Sequence, residues 1–285
     1  MVLGGNILHY KLQKQSLLDT RINQNSELKK QLEGFTPSNP AVMEIKILVA
    51  GQIGAGKSSF INSINSSFQG RITSGALVNS SAGNTKSFTK TLREIKIRSK
   101  KNLPIVFRDI MGLEPEMLAG TQTDDIINAL FGHVKEGYRF KESKQIAYKD
   151  QHYTGDPGLS DQAFCLVYVI AADTVQFTDD KLMDKLRIIR QRISDEAIPQ
   201  VIVMTKVDEA CPLVKNDLRK IYQSKKIKEK MQMCSDTVGV PMCNIFPVKN
   251  YHEEIDTDDN VDVLILKALD QIVHLADDRL LSSSN

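Results

Sequence analysis

Gly51-Gln52-Ile53-Gly54-Ala55-Gly56-Lys57-Ser58 is the stretch that decides how this chain reads. It fits G-x-x-x-x-G-K-[ST] at every fixed position. Ahead of it, residues 44–50 (Glu-Ile-Lys-Ile-Leu-Val-Ala) predict a buried strand ending at Gly51. After it, residues 58–68 carry Phe60, Ile61, Ile64 and Phe68 at helical spacing. Strand, glycine loop and helix form the context a phosphate-binding loop requires. Successive N–H groups, from Gly51 through Ile53, Gly54, Ala55 and Gly56 to Ser59, can turn toward phosphate oxygens. The helix N-terminus adds partial positive charge beneath them. Lys57 would reach the β- and γ-phosphates, and Ser58 would ligate Mg²⁺. The competing account, a glycine turn with an exposed lysine, does not explain the flanking elements.

The rest of the chain is organised around that loop. At 285 residues there is room for one large domain with appendages. Charged residues at 25% and apolar residues at 41% are ordinary for a globular protein, and a net charge of +2 selects no strongly basic or acidic partner. Cys165, Cys211, Cys234 and Cys243 show neither a C-x-x-C pair nor zinc spacing. The first residues lack the charged and apolar regions of a signal peptide, no apolar run reaches membrane-spanning length, and no lipidation box is present. The expected location is cytoplasmic.

Residues 1–40 read as a polar extension with one or two amphipathic helices outside the main domain, closed by the linker Gly34-Phe-Thr-Pro-Ser-Asn-Pro40. Residues 41–280 read as the main domain and 281–285 as a disordered tail. Within the domain, residues 88–98 alternate as a half-exposed edge strand, and 103–109 form the next strand. Residues 123–131 predict a short helix, and 133–160 a polar insertion. Residues 163–171 are continuously apolar, as a central parallel strand covered on both faces would be. Thr178 would cap the next helix, and 200–205 is a further strand. Residues 213–233 read as a basic helical region, 242–246 as a short last strand and 261–276 as a closing amphipathic helix. The alternation predicts an α/β, doubly wound, mostly parallel sheet of about six strands, a P-loop NTPase of G-domain type with a short helical N-terminal extension.

In such a sheet, ligand-binding groups follow the carboxyl ends of strands. Asp109-Ile-Met-Gly112 follows the third strand; its aspartate can hold Mg²⁺ through water and Gly112 can offer an N–H to a γ-phosphate. Thr205-Lys206-Val207-Asp208 and Val248-Lys249-Asn250 follow two later strands. Each motif is weak alone. Their order, each at the end of a predicted strand, carries the reading.

This set resembles the signature of the translation-factor-related GTPases. The resemblance implies that Asp208 accepts hydrogen bonds from the N1 and N2 edge of guanine and that Lys206 lies along the base plane. It implies that the Val248–Asn250 loop, with Lys249 and Asn250, offers N–H groups to the guanine carbonyl. Thr205 stands where the commonest version has asparagine, as in several large GTPases of dynamin and septin type. Residues 47–63, Phe68-Gln-Gly70, Asp109-Ile-Met-Gly-Leu113, Asp124-Asp-Ile126, Asn250-Tyr251 and Asp262-Val-Leu-Ile-Leu-Lys-Ala268 look more narrowly like the interferon-induced protein 44 and 44-like family. That resemblance covers about residues 35–280. It implies bound GTP or GDP with Mg²⁺, a cytoplasmic location and a role in antiviral innate immunity.

Hydrolysis is a separate question from binding. Signalling GTPases place a water-orienting glutamine directly after the glycine of Asp-x-x-Gly. Leu113 stands there in this chain, and Ile53 is bulkier than the small residue found at its place. Thr89 is the first choice for the switch threonine that covers Mg²⁺ and the γ-phosphate, with Thr85 as the alternative; Lys57 and Thr89 are the catalytic candidates, and Ser58, Thr89 and Asp109 the metal ligands. Two classes stay open: a GTPase that is slow alone and is helped by a homodimer across the nucleotide face, or a non-hydrolysing nucleotide-gated module or scaffold whose GTP-ordered switches bind a protein or nucleic-acid partner. Basic residues cluster at 86–101 and 215–230. Solvated faces account for them better than a nucleic acid or a membrane surface does. The acidic residues 253–262 read as a solvated loop or a helix N-terminal run.

Overall fold

A computed structural model describes residues 23–76, 90–114, 119–141 and 144–283. Its centre is a six-stranded sheet: β1 (Ile45–Gly51), β2 (Arg93–Arg98), β3 (Asn102–Asp109), β4 (Cys165–Ala171), β5 (Gln200–Thr205) and β6 (Ile245–Pro247). The strand order is β2-β3-β1-β4-β5-β6. All neighbours are parallel except the β2–β3 pair. Every residue of β4 and β5 is buried, which explains their unbroken apolar sequence. In β2, Ile97 is buried while Arg93, Lys96 and Arg98 are exposed, as suits an edge.

Helices cover both faces. Helices α1 (Asn23–Glu33), α2 (Lys57–Gln69) and α8 (Asp259–Ser282) pack as one layer. Helices α3 (Ala119–Leu130), α4 (Asp180–Arg192) and α7 (Lys225–Val238) form the other. Two short helices, α5 (Val207–Ala210) and α6 (Pro212–Asn216), follow β5. Strand order reverses at β1, between β3 and β4. The crevice beyond its carboxyl end is where such sheets bind ligands.

Several local expectations are corrected. The helix cap before α4 is Asp179, whose side chain accepts from the Lys181 N–H at 2.8 Å, whereas Thr178 Oγ1 donates back to the Thr174 carbonyl. The basic region 213–233 is broken rather than continuous, because Asp217 caps a short 3-10 turn and Ser224 caps α7 anew. The N-terminal helix does not stand apart from the domain. Leu28 and Leu32 of α1 are buried in the main core, and Lys29 reaches Asp262 of α8 at 3.3 Å. Ser99, in the β2–β3 turn, donates to Glu33.

The polar insertion after α3 is held by groups that carry no periodic signal. Arg108 on β3 is almost wholly buried; it donates to the carbonyls of Ala129, Val134 and Asp161 and pairs with Glu94 at 3.2 Å. Asp125 accepts from the Ile146 N–H at 2.8 Å and the Tyr138 hydroxyl at 3.4 Å. Burial pushes the Asp125 carboxyl up to about 6, outweighing those two donors. The folded state therefore holds this proton more tightly than the unfolded chain, and is penalised as pH rises from about 4 through 6. Asp125→Asn, which retains an acceptor for Ile146, is expected to remove that share of the slope. Denaturant unfolding at pH 4 to 7 checks it; an unchanged slope would assign the effect to other groups.

Candidate nucleotide-binding site

The loop between β1 and α2 is built around backbone conformations that side chains resist. Gly51 has φ 151°, and a Cβ there would lie 2.2 Å from the Val169 carbonyl oxygen of the neighbouring strand. Gly56 is left-handed, with φ 91°, and serves as the cap of α2. Lys57 is 7% exposed, and its Nζ donates to the carbonyls of Gly51 and Gln52, both at 3.1 Å. The ammonium thus lies folded over the loop. Burial lowers its pKa to about 8, against the opposing pull of Asp109. Ser58 Oγ donates to Asp109 Oδ2 at 2.7 Å, bringing two hard oxygen donors together at the ends of β3 and the loop. Ile53 and Ser59 are half-buried and Gly54 is exposed. The carbonyl of Ser59 accepts from Ser63 Oγ at 2.8 Å within α2.

Gly112 meets the same loop from the other side. A Cβ at Gly112 would fall 2.6 Å from Ile53 Cγ1 and 2.9 Å from the Ile53 N and Cα, so only glycine fits. Leu113 continues the contact through its N–H, which donates to the Gly51 carbonyl at 3.0 Å. Its side chain is 1% exposed and belongs to the core. Leu113 therefore anchors the Asp-x-x-Gly loop to β1, a role that its spacing in the sequence did not suggest.

The two loops assigned to the base divide their work. Thr205 is fully buried, and its Oγ1 donates to the Ala55 carbonyl at 2.6 Å. Asn250 Nδ2 donates to the Gly56 carbonyl at 3.1 Å. Both side chains brace the phosphate loop, so the hydroxyl of Thr205 provides an anchor despite being shorter than asparagine. Lys206 is left-handed with φ 55°, opening α5, and its Nζ lies 3.7 Å from Asp173 Oδ2. Asp208 sits in the first turn of α5, with its Oδ2 4.0 Å from Lys249 Nζ. Lys57, Ser58, Asp109, Gly112, Thr205 and Asn250 thus converge on one loop, while Asp208 pairs with Lys249 and Lys206 turns to Asp173. Thr89 and Thr85 lie outside the described residues.

Three participants escaped the sequence reading. Asp173 lies two residues past the end of β4, close enough that a search of strand ends would have found it. Glu254 lies in the acidic loop read as solvated, yet its carboxylate accepts from the N–H groups of His252 and Glu253 and meets Lys249 at 2.6 Å. Asp262 is buried on α8 and accepts from Ser67 Oγ at 2.6 Å and the Tyr251 hydroxyl at 2.8 Å. Tyr251, directly after Asn250, also donates its N–H to Ser63 of α2 at 2.9 Å. Asp258 is the N-cap of α8, so part of the acidic run is a helix start, as its composition suggested.

No family model matches the chain. Curated proteins do. Human interferon-induced protein 44 is 33% identical over 274 residues, covering 94% of this chain and 61% of its own length. The mouse protein of that name is 32% identical, covering 93% and 64%. Human interferon-induced protein 44-like is 31% identical over 252 residues, covering 87% and 55%. The matched region belongs to the interferon-induced protein 44 and 44-like family. The chain spans about three fifths of the length of the interferon-induced 44 proteins that it matches. Among solved structures, Toc33 of Arabidopsis thaliana, in complex with Mg²⁺ and GMPPNP, aligns over 92% of this chain and 95% of its own, with 14% identity and a TM-score of 0.49. Era of Aquifex aeolicus, bound to GDP and AlF₄⁻, aligns over 83% and 57%, with 15% identity and a TM-score of 0.41. This chain carries its phosphate loop and strand-end residues on an α/β P-loop sheet.

Proposed function

We propose that this chain is a cytoplasmic guanine-nucleotide-binding protein of the interferon response, taking GTP or GDP with Mg²⁺ and acting in antiviral innate immunity. The observation that carries it is the meeting of Ser58 with Asp109 beside the buried Lys57 ammonium, on a loop whose Gly51 leaves no room for a side chain. The donor set fits the implied cation. Mg²⁺ is held by few protein oxygens together with phosphates and water, and Ser58 and Asp109, with Thr89 as a candidate third, would supply them. When bound, the ion neutralises phosphate charge. The glycine cradle, its inward N–H groups and Lys57 would hold the phosphates; Asp208 and Lys206, with the Lys249–Asn250 backbone, would hold the base. The names of the relatives support the interferon setting.

Titration calorimetry with GTP, GDP and ATP, with and without Mg²⁺, tests this reading. Guanine nucleotides are expected to bind and ATP to bind much more weakly. ATP binding as tight as GTP binding would overturn the guanine assignment.

Turnover is expected to be slow. The Leu113 side chain has no donor or acceptor and is packed in the core, so it orients no water. The isolated monomer should hydrolyse GTP at roughly 10⁻⁴ s⁻¹ or less, the rate of an unassisted small GTPase. If a homodimer across the nucleotide face supplies the missing groups, phosphate release per molecule rises with protein concentration. If it stays low at all concentrations, the second reading gains: a nucleotide-gated module with a protein partner. Fast turnover independent of concentration would mean that another residue positions the water.

A further inference from the structure

Lys249 sits between two carboxylates, and the two distances differ. Its Nζ is 2.6 Å from Glu254 Oε1 and 4.0 Å from Asp208 Oδ2. Asp208 is the acceptor that the proposed function assigns to the guanine N1 and N2 donors, and the present inference rests on that assignment. A lysine so close to a half-buried carboxylate would ordinarily close on it, because a charge-assisted hydrogen bond in a partly desolvated place is stronger than one in water. The surroundings do not prevent this by packing. Asp208, Lys249 and Glu254 line a cleft of about 810 Å³ together with Lys215, Asp217 and Asn260 of α8. A flexible four-carbon stem has room to move there. What differs between the two carboxylates is how firmly each is held.

Glu254 is held by backbone donors as well as by Lys249. Its Oε2 accepts from the His252 N–H at 2.9 Å and the Glu253 N–H at 3.2 Å, leaving Oε1 aimed at the ammonium. Burial would push this carboxyl up; the hydrogen bonds from Lys249 and the loop N–H groups outweigh it and hold it down to about 2. Burial would likewise lower Lys249, and the Glu254 carboxylate outweighs it. Both groups are therefore charged across the physiological range.

We propose that Glu254 is a positioning residue for base selection: it holds the Lys249 ammonium off the Asp208 carboxylate, leaving that carboxylate open to the two donors of guanine. Without the holder, Lys249 closes on Asp208, and guanine must displace it. Glu254 touches neither base nor phosphate in this account; it acts through Lys249.

A double-mutant cycle tests it, read by calorimetric GDP and GTP affinity. Glu254→Gln keeps the shape of the side chain and an acceptor for the loop N–H groups, and thermal melting checks that the variant folds. In the parent it is expected to weaken guanine nucleotides by about tenfold, the scale of one charge-assisted hydrogen bond. In a Lys249→Met background the same substitution should cost less than about twofold, because no ammonium is left to fall on Asp208. In the nucleotide-free protein, the ¹³C resonance of the Asp208 carboxyl should move in Glu254→Gln and stay in place when Glu254→Gln is made on Lys249→Met. Equal losses in both backgrounds would show that Glu254 merely supports its loop, and no loss in the parent would show that it does not matter; either overturns the inference. If the parent prefers guanine and Asp208→Asn abolishes that preference while Glu254→Gln changes nothing, this inference alone fails. If the parent shows no preference for guanine, the base reading fails with it.

Discussion

Replacing Lys57 by alanine is expected to lower GTP affinity at least about tenfold while the protein stays folded. The side chain is a buried cation against two loop carbonyls, and its charge-assisted bonds to phosphate oxygens are worth roughly 1.5–3 kcal/mol. The pKa of about 8 sharpens the test. A lysine lowered by burial regains its proton beside phosphates, so nucleotide binding takes up a proton wherever the free protein has lost it. Affinity should therefore fall as pH rises from about 7.5 to 9, by up to about tenfold per pH unit above 8. Lys57→Ala should lack that proton uptake, which calorimetry in buffers of different ionisation enthalpy detects. Unchanged GTP binding in a folded Lys57→Ala protein would rule out this loop as the site.

Asp208→Asn is expected to turn base preference from guanine toward xanthine. The carboxylate presents two acceptors to the two donors of the guanine edge; the amide presents one acceptor and one donor. Xanthine carries a carbonyl where guanine has its exocyclic amine, so the amide suits it. Guanine affinity should drop at least about tenfold, and the ratio of XTP to GTP affinity should rise above that of the parent. A ratio unchanged by the substitution would remove Asp208 from base reading. Because Lys249 lies only 4.0 Å from this carboxylate, the loss will include a change in the ion pairing of Lys249 as well as in the base contact.

The parts of the molecule that could be read from sequence are those set by local pattern. The apolar run 163–171 could only be a central strand, and it is buried at every position of β4. The phosphate loop was legible because glycine spacing, a lysine and a hydroxyl are tied to adjacent elements. What could not be read depends on groups distant in the chain. Arg108 looks like one more charge on a strand, and only the folded chain brings three carbonyls of the following segment to its guanidinium. Glu254 stands among acidic neighbours of similar type; the turn that gives it two N–H donors sets it apart. Leu113 was legible as a missing glutamine, but not as a core residue whose backbone ties two loops together. Thr178 and Asp179 are both good caps by type, and side-chain reach chose between them.

Helix α1 ends at Glu33, well before the phosphate loop begins at Gly51, yet it is connected to the loop after β6 through Asp262. That one carboxylate receives Lys29 from α1, Ser67 from the end of α2 and Tyr251 from the loop that follows β6. For anyone cutting the gene into pieces, the linker at 34–40 is a misleading place for the scissors. A fragment starting at residue 41 would lose Leu28 and Leu32 from the core and leave the shielded Asp262 without its lysine. The melting temperature of such a fragment should fall, and Tyr251 would rest on a carboxylate that has lost its cation.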